Sequence, residues 1–146
     1  MDLEIRYEHG SMTVHLEEFL SMRSISKVRK LLKIIRCSYT PECEQQMKEF
    51  VQEQIEQYEP KQRENNIFIT GYEQKVRYCE QQLKDVVYAR DGQRKNSVLW
   101  KLYNEKVKEI RVELSELKKS LNFYRSKYDQ NVKNRDFYKK VLDSIT

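Results

Sequence analysis

Lysine and arginine residues are concentrated in two segments of this chain, and such clusters typically bind phosphate groups. Residues 19–41 contain six basic and no acidic residues, and residues 118–146 contain eight basic and three acidic ones. Closely spaced cations match the regularly spaced phosphates of DNA or RNA and gain affinity from counterion release. The candidate residues for binding nucleic acid or a partner are Lys27, Arg29, Lys30, Lys33, Arg36, Lys118, Lys119, Arg125, Lys127, Lys133, Arg135, Lys139 and Lys140.

Aromatic residues are interleaved with the C-terminal cations. Basic residues beside aromatic rings can hold a nucleic acid by combining phosphate contacts with base stacking. The alternative is that the tyrosines among them are packing residues, because they lie near the apolar positions of a predicted helix. Both interpretations are open for Phe123, Tyr124, Tyr128, Phe137 and Tyr138.

The segment 42–59 has the opposite charge, with six acidic residues and one basic residue. A row of carboxylates could imitate nucleic-acid phosphates and occupy a basic groove on a partner protein. The alternative is structural, because this segment could neutralise the adjacent basic segment or simply be solvated. A helix-turn-helix is disfavoured, since its second helix would bring acids to the DNA. The candidate protein contacts in this segment are Glu49, Glu53 and Glu56.

Cysteine and histidine residues offer little for a metal or for catalysis. Their spacing matches no recognised zinc pattern. There is also no glycine-rich phosphate loop and no nucleophile elbow. We therefore expect no cofactor, no metal and no enzymatic activity, with a small nuclease as the enzymatic alternative. The five residues are Cys37, Cys43, Cys79, His9 and His15.

The N-terminal residues predict a β-hairpin. Apolar and polar residues alternate from Leu3 to Tyr7 and again from Met12 to Leu16. A Gly10-Ser11 turn would pair Tyr7 with Val14, whereas a His9-Gly10 turn would pair Ile5 with Val14. Both registers place the apolar side chains on one face. A lone hairpin is marginal in water, so that face is expected to pack on a helix.

Two helices are predicted after the hairpin and a short helical turn at 17–22. The first is basic and amphipathic, with Ser24 or Ser26 as its N-cap and an apolar face from Ile25 to Ile35. The second begins at Thr40-Pro41, where a capping hydroxyl precedes a proline. We expect it to end or bend at Glu59-Pro60, because proline removes a backbone donor.

The remaining residues predict two long helices with heptad seams, here meaning rows of apolar residues spaced alternately by three and four. A loop at 91–96 joins them into an antiparallel helical hairpin. We expect a kink, stutter or break at 129–135, where poor helix formers cluster. Beyond it, the basic C-terminal end could pack on the N-terminal residues or contact a partner. The seams are Ile69, Tyr72, Val76, Cys79, Leu83 and Val86, and Trp100, Tyr103, Val107, Ile110, Leu114, Leu117, Leu121, Tyr124 and Tyr128.

The fold class is therefore mainly α, with an N-terminal β-hairpin and two short helices followed by a long antiparallel helical hairpin, or coiled coil. We place the domain boundary between residues 1–59 and 60–146. Three cysteines indicate a reducing compartment. The N-terminus has neither a basic start nor an apolar run, and no window is apolar enough to span a membrane. These features predict a cytoplasmic protein with no membrane partner.

Ten tyrosines suit an interaction protein, because tyrosine combines a large contact area with a polar tip. Tyr39, Tyr78 and Tyr88 lie off the seams and are candidates for contact with another protein.

In overall make-up the chain resembles small accessory proteins of phages and mobile elements, among them anti-CRISPR inhibitors. The resemblance consists of a short hairpin, a basic helix, and coiled-coil helices rich in Lys, Glu and Tyr in a cysteine-poor chain. It implies a stoichiometric inhibitor that binds a CRISPR nuclease or its RNA complex in the host cytoplasm. Such an inhibitor would block nucleic-acid loading or a conformational step.

Three functions follow from these patterns. The first is the non-enzymatic inhibitor that the resemblance implies. The second is a DNA- or RNA-binding accessory or regulatory protein that uses residues 19–41 and 118–146. The third is a structural coiled-coil oligomer, such as a homodimer, that associates through the heptad seams.

Overall fold

The computed structural model describes residues 1–146, and it is mainly helical. An antiparallel two-stranded sheet is followed by two short helices and two long ones. The chain forms two compact units: unit 1 comprises Met1–Gln62 and Gln130–Thr146, and unit 2 comprises Arg63–Asp129. The elements are β1 (Asp2–Tyr7), β2 (Gly10–His15), α1 (Leu16–Ser21), α2 (Ile25–Arg36), α3 (Cys43–Asp91) and α4 (Val98–Ile145).

The predicted β-hairpin is present, but both predicted registers are wrong. Glu8 and His9 form the turn, so Ile5 pairs with Met12 and Leu3 pairs with Val14. The observed register differs from each predicted one by an even number of residues, and the same side chains therefore share a face. The earlier turn ends the ladder at His15, and the next residue, Leu16, begins α1.

Unit 1 has its own hydrophobic core. The inner face of the sheet, the apolar faces of α1 and α2, the first turns of α3 and the last turns of α4 all contribute to it. Leu3, Ile5, Leu16, Ile35 and Val141 have no exposed surface at all. The full set of buried residues is Leu3, Ile5, Val14, Leu16, Leu20, Val28, Leu31, Leu32, Ile35, Cys43, Met47, Phe50, Val51, Val141 and Ile145.

Hydroxyl side chains fix the segments that precede α2 and α3. Ser24 caps α2 by accepting a hydrogen bond from the Lys27 backbone N–H at 3.3 Å. Thr40 was predicted to cap α3, but its hydroxyl accepts the Arg6 backbone N–H at 3.1 Å, and α3 begins at Cys43. The Thr40 side chain therefore ties the hairpin to the segment that precedes α3.

Of the predicted end or bend at Glu59-Pro60, the end is wrong, because α3 runs without interruption from Cys43 to Asp91, and the bend stays a prediction. Pro60 is exposed inside this helix. Proline in a helix interior costs about 3 kcal/mol relative to alanine. Helical residues on both sides of Pro60 are anchored, Phe50 and Val51 in the core of unit 1 and Gln62 through its contact with Arg135. These contacts keep the helix continuous.

In unit 2 the two predicted seams meet within the chain. Val76 and Cys79 of α3 pack with Ile110, Leu114 and Leu121 of α4. The Cys79 thiol donates to the Ile110 carbonyl oxygen at 3.7 Å. The interhelical loop lies between Asp91 and Val98, as the sequence predicts. Half-buried neighbours complete the cluster: Ile69, Tyr72, Leu83, Val86 and Leu117.

The predicted break at 129–135 is also wrong, since α4 is helical from Val98 to Ile145, whereas the kink or stutter stays a prediction. The predicted division assigned residues 60–146 to a single helical unit, whereas residues 130–146 group with the N-terminal residues. Val141 and Ile145 lie in the core of unit 1. Their burial, together with the bond from Arg135 to Gln62, outweighs the weak helix propensity of residues 129–134.

Replacing the proline inside α3 should stabilise the protein. In Pro60→Ala the backbone regains a hydrogen-bond donor and the ring no longer crowds the preceding turn. We expect the free energy of unfolding in urea to rise by about 1–3 kcal/mol. Glu59→Ala, at an exposed neighbour, is the control and should change it by less than about 0.5 kcal/mol. A loss of stability in Pro60→Ala would contradict this account.

The hydrogen bond between His15 and Asp2, at the open end of the hairpin, should make the folding stability depend on pH. His15 Nδ1 lies 2.5 Å from Asp2 Oδ1, and this hydrogen bond, with the carboxylate charge, raises the pKa of His15 above its usual 6.5. The stabilisation is therefore complete below about pH 6.5 and is lost as the pH rises through the folded-state pKa. Proton NMR titration of His15, repeated in Asp2→Asn, measures this. The raised pKa should fall in that variant, and an unchanged titration would refute the pairing.

Candidate anion-binding surface

Helix α2 presents its basic residues because its apolar face is fixed in the core of unit 1. Val28, Leu31, Leu32 and Ile35 are buried with at most 3% exposure. Their spacing of three and four residues occupies one side of the helix. The basic residues between them are consequently exposed: Lys27, Arg29, Lys30, Lys33 and Arg36.

The last turns of α4 are positioned in the same way. Val141 and Ile145 are buried in unit 1, which leaves Lys133, Lys139 and Lys140 exposed. Lys133 precedes Lys140 by two helical turns, so both side chains lie on the same side of α4. Lys139 is rotated to another side of the helix.

A surface pocket of about 410 Å³ brings the two predicted basic segments together. Arg29 from α2 and Lys140 from α4 both line it, with Ile25, Asp143 and Ser144. Asp143 contributes one carboxylate, and the Ser144 hydroxyl donates to the Lys140 carbonyl oxygen at 3.0 Å. The pocket is open to solvent and unites cations from distant parts of the sequence.

We call Arg29, Lys33, Lys133 and Lys140 the composite basic surface. Lys33 follows Arg29 by four residues and lies on the same side of α2, as Lys133 does relative to Lys140 on α4. None of the four makes an ion pair within 4 Å. Their positive charge is therefore available to an anion.

Arg36 has a structural role that the sequence did not indicate. Its Nε donates to Glu44 Oε1 at 2.9 Å, and its Nη2 donates to the Ile145 carbonyl oxygen at 3.4 Å. Among the five predicted basic residues of α2, it is the one that pairs with the acidic segment. Neutralisation of α2 by this segment, the structural alternative, therefore applies to Arg36 and not to its neighbours.

In unit 2, ion pairs with glutamates neutralise some of the predicted basic residues. Arg125 pairs with Glu73 at 3.2 Å, and Lys118 lies 3.6 Å from Glu80. These pairs join α3 to α4 beside the apolar seam. Lys119 is exposed in a shallow pocket shared with Arg111. Lys127 Nζ lies 4.6 Å from the centroid of the Phe123 ring, in a cation–π contact.

Two of the interleaved aromatic residues stack on other aromatic rings of the same chain. Tyr124 stacks on Phe68, with ring centroids 4.8 Å apart, and Tyr138 stacks on Tyr58 at 6.0 Å. Burial raises the pKa of the Tyr138 hydroxyl above 10, its usual value. These contacts favour the packing interpretation for both tyrosines. Phe123 remains 55% exposed.

Arg135 belongs to the interior of unit 1 more than to its surface. Its Nη1 donates to Gln62 Oε1 at 2.9 Å, and Gln62 is only 8% exposed. Arg135 Nε, Gln62 Nε2 and Asn134 Oδ1 are buried without a hydrogen-bond partner. This polar contact between α3 and α4 makes Arg135 a poor candidate for binding a ligand.

The other candidate residues for protein contact are exposed, and they are divided between unit 1 and unit 2. Tyr39, Tyr78 and Tyr88 are 67%, 68% and 85% exposed. Gln82 Nε2 donates to the Tyr78 hydroxyl at 3.1 Å. Glu53 and Glu56 are exposed, and Glu49 accepts a hydrogen bond from Gln45 of the preceding helical turn.

An exposed apolar face at the start of α4 is not among the sites predicted from the sequence. Val98, Leu99 and Leu102 are 76%, 52% and 62% exposed. The available signal was their position, because all three lie off the heptad seam that begins at Trp100.

The cysteines are dispersed. Cys43 lies in the core of unit 1, where its thiol donates to the Glu4 carbonyl oxygen at 3.3 Å. Burial raises the pKa of the Cys79 thiol above its usual value, which keeps it protonated and unreactive. Cys37 is exposed. No group of three or more His, Cys, Asp or Glu side chains is arranged to hold a metal ion.

Comparison with known proteins found no match to a protein-family model, to a curated protein or to a solved structure. None of the helices combines the length and apolar composition needed to cross a membrane.

Removing Arg135 and removing Lys140 should have different effects on the free energy of unfolding. In Arg135→Ala the Gln62 Oε1 atom loses its buried donor, so we expect the free energy of unfolding to fall by about 1–3 kcal/mol. Lys140→Ala removes an exposed, unpaired cation and should change it by less than about 0.5 kcal/mol. Urea unfolding of both variants tests the assignment, and equal effects would be inconsistent with it.

Proposed function

We propose that this chain is a non-enzymatic accessory protein that binds DNA or RNA through the phosphate backbone. The composite basic surface of unit 1 is the contact. The observation that carries the proposal is the shared pocket of Arg29 and Lys140, since two cations from different helices converge there. Solubility requires exposed charges on each helix, but it does not require cations from two helices to line the same pocket.

The cations of the composite basic surface are not paired with carboxylates of this chain, and their chemistry suits phosphate groups. Arg29, Lys33, Lys133 and Lys140 have no ion-pair partner within 4 Å, although the chain contains 23 acidic residues. Arginine offers a planar set of donors and lysine a compact charge, and both are standard phosphate ligands. Counterion release makes such binding strong at low salt and weak at high salt.

The proposed binding has little sequence selectivity. Phosphate contacts fix orientation but carry no base information. Tyr124 and Tyr138 could have supplied base stacking, but their rings stack on Phe68 and Tyr58. We therefore expect similar affinities for unrelated sequences of the same length and strandedness.

Fluorescence anisotropy with labelled duplex DNA, single-stranded DNA and RNA tests the proposal. The double variant Arg29→Glu/Lys140→Glu should weaken binding by about 10-fold or more at low salt. It should also reduce the slope of log K against log salt by about 2, because two phosphate contacts are lost. The control Arg63→Glu/Lys84→Glu makes the same charge change at exposed, unpaired residues of unit 2 and should retain most of the affinity.

Two results would overturn this proposal. The first is the absence of salt-dependent binding to any of the three probes. The second is an equal loss in both double variants, which would indicate attraction to the net charge alone.

Inhibition of a CRISPR nuclease, implied by the resemblance, is the second candidate. The exposure of Tyr39, Tyr78 and Tyr88 favours it, since exposed tyrosines are common anchors in protein interfaces. Under this alternative the composite basic surface would contact the RNA of the nuclease complex. Strong, salt-dependent binding to free nucleic acid would count against the inhibitor and favour the accessory protein.

A further inference from the structure

The first turns of α4 carry an apolar face that nothing in unit 2 covers. Val98 and Leu102 are four residues apart, and Leu99 and Leu102 are three apart, so the three side chains are neighbours. The exposed fractions of Val98, Leu99 and Leu102 are 76%, 52% and 62%. Outward positions of a paired helix are normally polar. A contiguous exposed apolar face therefore indicates an interaction site.

The face is held rigidly. Ser97 Oγ accepts the Trp100 backbone N–H at 3.2 Å and so caps α4. On the inner side, the Arg90 guanidinium lies 5.8 Å from the centroid of the Trp100 ring, and its Nη1 donates to Asn104 at 3.0 Å. These contacts fix the start of α4, so the backbone that carries the apolar face is already ordered before binding.

Cations border this face. Residues 92–104 contain three basic and no acidic residues. Arg94, Lys95 and Lys101 are all exposed, and none has an ion-pair partner within 4 Å. An apolar centre with a charged rim is the usual arrangement of a protein interface. The acids that follow on the same side, Glu105 and Glu109, are paired with Lys108 and Lys106. The uncompensated charge of the rim is therefore positive, so its complement is negative.

We propose that Val98, Leu99 and Leu102 dock into an apolar pocket on another protein whose rim carries Asp and Glu side chains. This inference goes beyond nucleic-acid binding, because it uses other residues and another class of ligand. Leu102, central to the face by its spacing to the other two, is the anchor. Arg94, Lys95 and Lys101 select the partner by charge and speed its association.

A second copy and a lipid surface fit the face less well. In a symmetric dimer the same patch occurs on both copies, so the positive rims would repel each other. Binding to a lipid surface strengthens with the apolar area that the helix buries. Here the apolar face ends after about two turns, because Glu105 and Glu109 follow Val98 and Leu102 by seven residues and lie on the same side.

The test combines site-specific crosslinking with a binding measurement. The photoreactive residue benzoylphenylalanine is placed at Leu102, and at Lys108 as a control on another side of α4, in cells that produce the chain. A partner crosslinked from position 102 and not from 108 is then purified and titrated. Leu102→Glu should weaken its binding by about 10-fold or more, whereas Val112→Glu, an equally exposed apolar residue, should retain it.

The charged rim is tested on the same partner. Arg94→Glu/Lys95→Glu should slow association several-fold at low salt, and the difference should shrink as salt is added. Leu102→Glu should keep the helical circular-dichroism spectrum and the affinity for nucleic acid. Failure of this proposal is therefore distinguishable from failure of the proposed function.

Four outcomes would overturn the inference. They are the absence of a position-specific crosslink, crosslinking to a second copy of this chain, and equal binding of Leu102→Glu and Val112→Glu to the captured protein. The fourth is co-sedimentation with vesicles of phosphatidylserine and phosphatidylcholine that Leu102→Glu abolishes, which would assign the face to a lipid surface.

Discussion

The burial of the last turns of α4 in the core of unit 1 is the interaction on which the candidate site depends. Val141 has no exposed surface and Ile145 is 7% exposed, and both pack with residues from the β-hairpin and α2. Burying a Val or Ile side chain contributes about 1.5–3 kcal/mol. This packing brings the end of the chain to its beginning. It also places Lys140 beside Arg29, so the basic surface is a consequence of the core.

Tertiary contacts also decide where the long helices continue. Pro60 and several of residues 129–135 are unfavourable in helix interiors. In the folded chain the helical residues on both sides of these points are anchored by buried contacts, so an interruption would sacrifice more packing than it relieves. Local propensity thus gives way to burial at the two places where the sequence argued for a break.

Charge is divided between structure and surface according to burial and partners. Arg36, Arg125 and Arg135 each bond to another element through a planar guanidinium group, and they hold the fold together. Lysines of α2 and of the last turns of α4 stay free in water. The sequence identifies all of these as basic candidates but cannot separate them, because pairing depends on which helix lies opposite.

The sequence by itself determined the mainly α fold, the hairpin, the loop at 91–96 and both heptad seams, since these follow from periodicity and turn chemistry along the chain. It also placed Tyr39, Tyr78 and Tyr88 off the seams, where they are exposed. Only the tertiary structure decided the hairpin register, the continuity of α3 and α4, the meeting of Arg29 with Lys140, and the exposure of Leu102. The reason is physical: each of these depends on contacts between residues distant in sequence, and spacing along one helix carries no information about its neighbours.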